Sequence, residues 1–274
     1  MIDFSHVTKA YPNGDVVLDD VNFSVSPGEF VIITGASGAG KTTLGRLLIR
    51  DLIPTKGKIV IDGEDLSKIK TKNIPLIRRK IGFIFQDYKI IPDKTVGENI
   101  SLSLEIGGYT SKKIPEKISS LLELVGIPKK ENLFPGQLSG GEVQRAAIAR
   151  AIACDSPILF ADEPTGNLDK ETSIEIFNLL QKINSVGTTV IMATHDVTLI
   201  DLSSARRLRL EKGKIISDTE KKPTKSTEQP GTTTVIPAKA GIHQDDTIKT
   251  RHSNSSLRGA KRRGNLTPST KKSS

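Results

Sequence analysis

Short apolar runs and helical repeats take turns along the chain. Val16-Val17-Leu18 and the alternating Val21, Phe23 and Val25, grouped around an Asn13-Gly14 turn, predict β-strands in the N-terminal stretch 2–26. Phe30–Thr34 is a compact apolar run, the pattern of a strand covered on both faces. A glycine-rich loop follows it, then a helical spacing through Leu44, Leu47, Leu48 and Leu52. Ile81–Phe85 reads as another strand. Between Gly97 and Val125 the pattern turns helical, with Ile114, Ile118, Leu121, Leu122 and Val125 on one face. Gly141–Ala153 predicts an Ala-rich helix, Ile158–Ala161 a buried strand, Thr172–Ile183 a helix and Thr189–Ala193 a further buried strand. Leu208–Leu210, Lys212-Gly213 and Ile215-Ile216 predict a closing hairpin. Such alternation implies an α/β domain with a mostly parallel central sheet, a β-rich N-terminal edge and an inserted helical lobe.

Composition changes after Ile216. From Ser217 the chain is rich in Ser, Thr, Lys and Pro and poor in large apolar residues, so residues 217–274 are expected to form a disordered basic tail behind a domain at 1–216. The net charge of +9 sits mainly there: twelve Lys/Arg face five Asp/Glu in the tail, against 28 and 26 in residues 1–216. Lys261-Arg262-Arg263 is a run too short to imply more than a solvated surface, and no specific nucleic-acid partner is expected. The longest apolar stretch, Ala146–Ala161, is broken by Arg150 and Asp155, which excludes a membrane span. The first residues lack a secretion signal, and the lone Cys154 excludes an internal disulfide framework and a cysteine-built metal site. An intracellular protein is expected.

Gly35-Ala36-Ser37-Gly38-Ala39-Gly40-Lys41-Thr42 is the chemistry-bearing text, placed between a predicted strand and a predicted helix. Its glycines let successive backbone N–H groups turn inward onto phosphate oxygens, and the helix that follows adds its positive end. Lys41 is assigned to the β- and γ-phosphates, the Thr42 hydroxyl to Mg²⁺ and Thr43 to the α-phosphate. ATP and Mg²⁺ are therefore the expected ligands. Ile158-Leu159-Phe160-Ala161-Asp162-Glu163 is an apolar strand ending in two carboxylates. Asp162 is expected at the sheet edge beside the phosphate loop as a Mg²⁺ partner, with Glu163 as general base toward water. Leu138-Ser139-Gly140-Gly141-Glu142-Val143-Gln144-Arg145 offers a second exposed helix start with a hydroxyl donor, suited to another anion.

This last motif resembles the LSGGQ signature of the ATP-binding-cassette (ABC) ATPases, with Glu142 where Gln is usual. The resemblance covers 1–216 and implies a P-loop NTPase fold with an N-terminal antiparallel β subdomain and a helical lobe. It also implies a head-to-tail homodimer in which Ser139, Gly140 and Gly141 of one copy complete the ATP site of the other. Tyr11 matches the aromatic residue that stacks on adenine, although an ordinary sheet-edge aromatic is the competing reading. Gln86 matches the glutamine that contacts Mg²⁺ or water and senses a membrane partner; Asp169, in Gly166-Asn167-Leu168-Asp169, matches the residue at the dimer seam. His195 matches the histidine that meets the γ-phosphate. The stretch Phe85–Ile100 is similar to the branch of the family that serves bacterial cell division, departing from it at Gly97, while Ala36 departs at a position where Pro is common. That branch implies an integral membrane subunit as partner, a place on the cytoplasmic side of the membrane, and control of peptidoglycan hydrolases rather than solute transport. ATPases of lipoprotein release or macrolide export, a soluble ABC ATPase acting on nucleic acid, and a nucleotide-dependent scaffold remain the alternatives.

Overall fold

A computed structural model of the chain describes residues 1–219. Ten strands and seven α-helices build it. In chain order they are β1 (Ile2–Ala10), β2 (Val16–Val25), β3 (Phe30–Thr34), α1 (Lys41–Leu48), β4 (Lys56–Ile61), β5 (Glu64–Asp65), α2 (Ile74–Arg79) and β6 (Ile81–Ile84). Then come α3 (Val96–Gly107), α4 (Ile114–Leu124), α5 (Gly140–Ile152), β7 (Ile158–Asp162), α6 (Lys170–Ser185), β8 (Thr189–Thr194), α7 (Val197–Leu202), β9 (Arg206–Glu211) and β10 (Lys214–Thr219). A six-stranded sheet runs β10-β9-β3-β8-β7-β6, parallel except for the β9–β10 hairpin. A smaller antiparallel sheet runs β2-β1-β4-β5.

Pleating explains how the large sheet stays covered on both sides. Successive strand residues point to opposite faces. Ile32, Leu159, Ala161, Val190 and Met192 join the core shared with α3, α4, α5 and α6, while Val31, Ile33, Phe160, Ile191 and Ala193 join the core shared with α1 and the small sheet. Helix α1 lies close against β7 because Gly45 leaves room for the Phe160 ring; a Cβ there would stand 2.5 Å from Cε1.

Several elements differ from the pattern-based expectation. The helical stretch 97–125 is two helices, since Gly108 takes a left-handed φ of 88° and closes α3. Leu52 lies beyond α1. Strands β4 and β5 and helix α2 were not signalled, because Lys56–Ile61 has a short apolar run and Pro75 interrupts the helical text. The boundary at Ile216 falls inside β10: Asp218 pairs with Leu208 in the ladder, and its carboxylate meets Arg206 at 2.6 Å. The remainder of the expected tail lies outside the described residues.

Candidate nucleotide site

The C-terminal edge of the large sheet gathers the chemistry. Parallel strands deliver their following loops to one edge, which is where open α/β sheets bind ligands. The loop after β3 carries Gly35–Gly40, the end of β7 carries Asp162 and Glu163, and the end of β8 carries His195. Strand β8 runs between β3 and β7, so Asp162 sits one strand away from the phosphate loop and His195 follows the strand between them.

Local backbone demands fix the glycines. Gly40 caps α1 in the left-handed region (φ 110°), and a Cβ on it would come within 2.7 Å of Leu18 Cδ2. Gly35 passes so near β9 that a Cβ would stand 2.3 Å from the Leu210 carbonyl oxygen. Ala36, Ser37 and Gly38 are exposed along the loop, while Ala39 is buried. The first N–H groups of α1, at Lys41, Thr42 and Thr43, have no intrahelical partner and are the natural phosphate donors.

Lys41 is buried, and its ammonium donates to the carbonyls of Gly35 at 2.7 Å and Ala36 at 3.1 Å. It also meets Glu163 Oε1 at 3.1 Å, and Glu163 Oε2 meets His195 Nδ1 at 2.6 Å. One carboxylate thus bridges the lysine and the histidine. Glu163 holds this position with a left-handed φ of 48°, its N–H donating to the Ala193 carbonyl at 2.9 Å. Such a conformation is strained for a residue with a Cβ.

Asp162 is buried, and its Oδ1 has no hydrogen-bond partner among the described residues. Burial pushes its pKa up against the opposing effect of the Thr42 hydroxyl. A buried carboxylate oxygen left without a proton donor is a cost unless a cation takes it. Thr42, Gln86, Asp87, Asn167 and Asp162 line one cavity of about 540 Å³. Among the described residues no group of three His, Cys, Asp or Glu side chains can hold a metal by itself. The donor set instead suits Mg²⁺, which takes one or two carboxylates and draws its remaining ligands from water and substrate phosphates.

The second helix start is built as a cap. Ser139 Oγ accepts from the Glu142 N–H at 3.3 Å, and Glu142 Oε2 accepts from the Ser139 N–H at 2.9 Å. Those bonds, led by the Ser139 N–H and supported by Lys130, hold the Glu142 carboxyl below its ordinary pKa. Ser139 and Gly140 are exposed, and Gly141 lies so close to Thr172 that a Cβ would stand 2.7 Å from its Cγ2. Asp169 caps α6, accepting from the Thr172 N–H at 2.9 Å and hydroxyl at 2.7 Å, which lowers its pKa. Tyr11 stands on the turn between β1 and β2, with the Lys9 ammonium 5.4 Å from its ring centre.

The loop that presents Gln86 is held from two helices. Arg150 of α5 donates to the carbonyls of Lys89 at 2.6 Å and Tyr88 at 2.9 Å, both residues taking left-handed φ values near 51° and 60°. Buried Asn99 of α3 accepts from the Ile91 N–H and donates to the carbonyls of Ile91, Lys94 and Thr95. Gly97 lies against Glu131: its N–H donates to the Glu131 carbonyl, and a Cβ would stand 2.7 Å from the Glu131 Cγ, so that side chain would have to shift for a larger residue. Arg150 and Asn99 carried no sequence signal: their partners are main-chain groups whose positions depend on the fold. Cys154 follows α5 and donates to the Ser103 carbonyl of α3, with its thiol pKa raised by burial.

Comparison with known proteins agrees with this geometry. Residues 18–166 match the ABC transporter family. The chain is 46% identical over 218 residues to the cell division ATP-binding protein FtsE of Bacillus subtilis, spanning 80% of this chain and 96% of that protein. It is 47% identical over 221 residues to FtsE of Streptococcus pneumoniae D39, spanning 81% and 96%. Among solved structures it is similar to the dimeric post-hydrolysis form of the ATP-binding cassette MJ0796 bound to ADP and Pi, with a TM-score of 0.73, 35% identity and coverage of 80% and 98%. With its phosphate loop, buried Asp162 and capped second helix start on one such fold, the chain belongs to the ABC transporter family as one of its ATPase cassettes.

Proposed function

We propose that this chain is the ATP-hydrolysing subunit of a membrane-associated complex of the FtsE kind, working with an integral membrane subunit like FtsX. The observation that carries the reading is the Lys41–Glu163–His195 bridge beside the orphaned carboxylate of Asp162. Lys41 and the N–H groups opening α1 grip the β- and γ-phosphates, and Thr43 adds a contact to the α-phosphate. Glu163 takes the proton of the attacking water, and His195, at the far oxygen of the same carboxylate, orients it and meets the γ-phosphate. When bound at Thr42, Gln86 and Asp162, Mg²⁺ offsets phosphate charge. Tyr11 stacks on adenine.

Two copies pack head to tail, so that Ser139, Gly140 and Gly141 of one clasp the triphosphate held by Lys41 of the other, with Asp169 at the seam. Closure needs the γ-phosphate and reopens after hydrolysis. A dimeric cassette among the similar structures supports this arrangement. The movement is delivered to a groove of about 480 Å³ lined by Pro75, Phe85, Leu102, Ile106 and Arg150, next to the Gln86 loop. Leu102 and Ile106 are exposed there, an apolar floor for a helix of the membrane subunit. Among the described residues no helix is long and apolar enough to cross a membrane. In this reading the subunit sits on the cytoplasmic face through its partner and transmits force that controls septal peptidoglycan hydrolases. The test is Glu163→Gln: hydrolysis is expected to fall on the order of 10²–10⁴-fold while ATP still binds. A variant that hydrolyses ATP at the parent rate contradicts the assignment.

A further inference from the structure

The charge of the folded part is strongly uneven. Residues 56–80 carry eight Lys/Arg and three Asp/Glu, a balance of +5, whereas 1–216 as a whole balances at +2. The rest of that stretch is therefore negative, at −3. From Leu66 to Lys80 no acidic residue occurs at all.

The fold turns this segment into a surface. Leu66 and Ile77 are buried, Ile69 packs against the same core, and Ile74 is half-buried. With Leu66, Ile69 and Ile77 facing inward, Lys68, Lys70, Lys72, Arg78 and Arg79 are exposed. Lys80 closes the base of the excursion on Glu64 at 3.1 Å, and Lys68 lies 3.7 Å from Asp65. Among the described residues Lys70, Lys72 and Arg79 meet no carboxylate within ion-pair distance. Pro75 and Leu76 stand exposed among these cations, Leu76 at 54%.

We infer that this face, Lys68 to Arg79, rests on the anionic headgroups of a lipid bilayer, with Leu76 dipping toward the acyl boundary. Clustered cations around an exposed apolar side chain match a charged, amphipathic interface. Nucleic acid fits less well: residues 56–80 contain no aromatic side chain on which a base can stack. Position adds a further argument, resting on the proposed membrane-subunit reading: Pro75, Arg78 and Arg79 also line the groove assigned to that subunit, so docking brings this face to the bilayer.

Co-sedimentation of the full chain with vesicles, without nucleotide or membrane subunit, tests the inference. Vesicles of equal parts phosphatidylglycerol and phosphatidylcholine are expected to bind the chain in a salt-sensitive way, and phosphatidylcholine alone is not. Each basic residue at an anionic surface is worth roughly fivefold in partitioning, so joint substitution of Lys68, Lys70 and Lys72 by Gln, none of which lines the groove, is expected to weaken binding about a hundredfold. ATP hydrolysis by that variant stays at the parent rate. Joint substitution of Lys261, Arg262 and Arg263 by Gln is expected to leave most of the binding. If the three-site variant is poorly folded, the pair Lys70→Glu and Lys72→Glu, both exposed and without an ion-pair partner among the described residues, gives the same readout. Binding unchanged in the patch variants, or lost only on changing Lys261–Arg263, overturns the inference, as does patch-dependent binding of duplex DNA without binding to anionic vesicles. Because neither nucleotide nor partner is present, failure here leaves the ATPase reading standing, and failure of Lys41→Ala to alter ATP binding leaves this one standing.

Discussion

Thr42 and Gln86 line the same cavity, yet the molecule holds them by opposite means. Thr42 belongs to a loop and helix made from the single continuous run 35–48, clamped by close approach to β2 and β9 at Gly40 and Gly35. Gln86 stands on a loop whose backbone is gripped from α3 by Asn99 and from α5 by Arg150. The phosphate grip is part of the rigid sheet, whereas the Gln86 side hangs from the helical lobe. Any rotation of that lobe against the sheet therefore shifts Gln86 relative to Thr42. On the proposed reading, a cavity with one fixed and one carried wall would let a closed ATP site act on the groove alongside it.

The sharpest way to break the fixed wall is Lys41→Ala. It deletes a buried ammonium that makes two carbonyl bonds and the Glu163 ion pair. The proposed bonds from this ammonium to the β- and γ-phosphates are charge-assisted, at about 1.5–3 kcal/mol each, so their loss is expected to lower ATP affinity at least on the order of a hundredfold by titration calorimetry. Unchanged affinity would show that the phosphates lie elsewhere.

The carried wall is tested by Arg150→Gln. The predicted loss is in kcat, about tenfold, with equilibrium affinity for nucleotide within about twofold, because the Lys41 loop is untouched. Arg150→Lys, which keeps the charge but not the two-pronged grip, is expected to recover part of the rate. If affinity and kcat fall together, Gln86 and the phosphate loop do not move separately.

A smaller effect separates the two helix starts. The start of α1 has no side-chain cap, whereas that of α5 is closed by Ser139 and Glu142. Ser139→Ala is expected to cost about 1 kcal/mol in thermal unfolding at neutral pH. The Glu142 pKa is depressed in the folded chain, so its contribution is present above the ordinary carboxylate pKa and is lost as pH falls through the depressed value. The melting difference between parent and Glu142→Gln is thus expected to shrink on acidification. A pH-independent difference would remove the ionised cap from the account.

The same contrast explains what was legible in the sequence. Gly35–Thr42, Asp162-Glu163 and Ser139-Gly140-Gly141 are short runs whose chemistry depends on backbone shape, and local text specifies backbone shape. Strands β3, β7 and β8 were legible because burial on both faces leaves unbroken apolar runs. Arg150 and Asn99 were not, since their work is to hold carbonyls and N–H groups that arrive only through folding. The family resemblance places Asp169 at the dimer seam, and within one chain it is also the cap of α6, a role its spacing to Thr172 allows. Helix α2 is hidden because Ile77 is its one buried residue, too little for periodicity to declare itself.

The central claim is that each ATP site is shared between two copies, and complementation tests it most directly. Lys41→Ala damages one half of the pocket; Gly140→Asp damages the other by placing a negative charge where a phosphate is clasped. The second substitution is expected to fold, because Gly140 is exposed and its added Cβ would meet only Leu168 Cδ2, at 3.5 Å. Each variant alone is predicted to be inactive. In an equal mixture the mixed dimers keep one intact pocket, and ATP hydrolysis is predicted to return to about a quarter of the parent rate. No recovery on mixing would mean that a single chain supplies both halves, and would contradict the account.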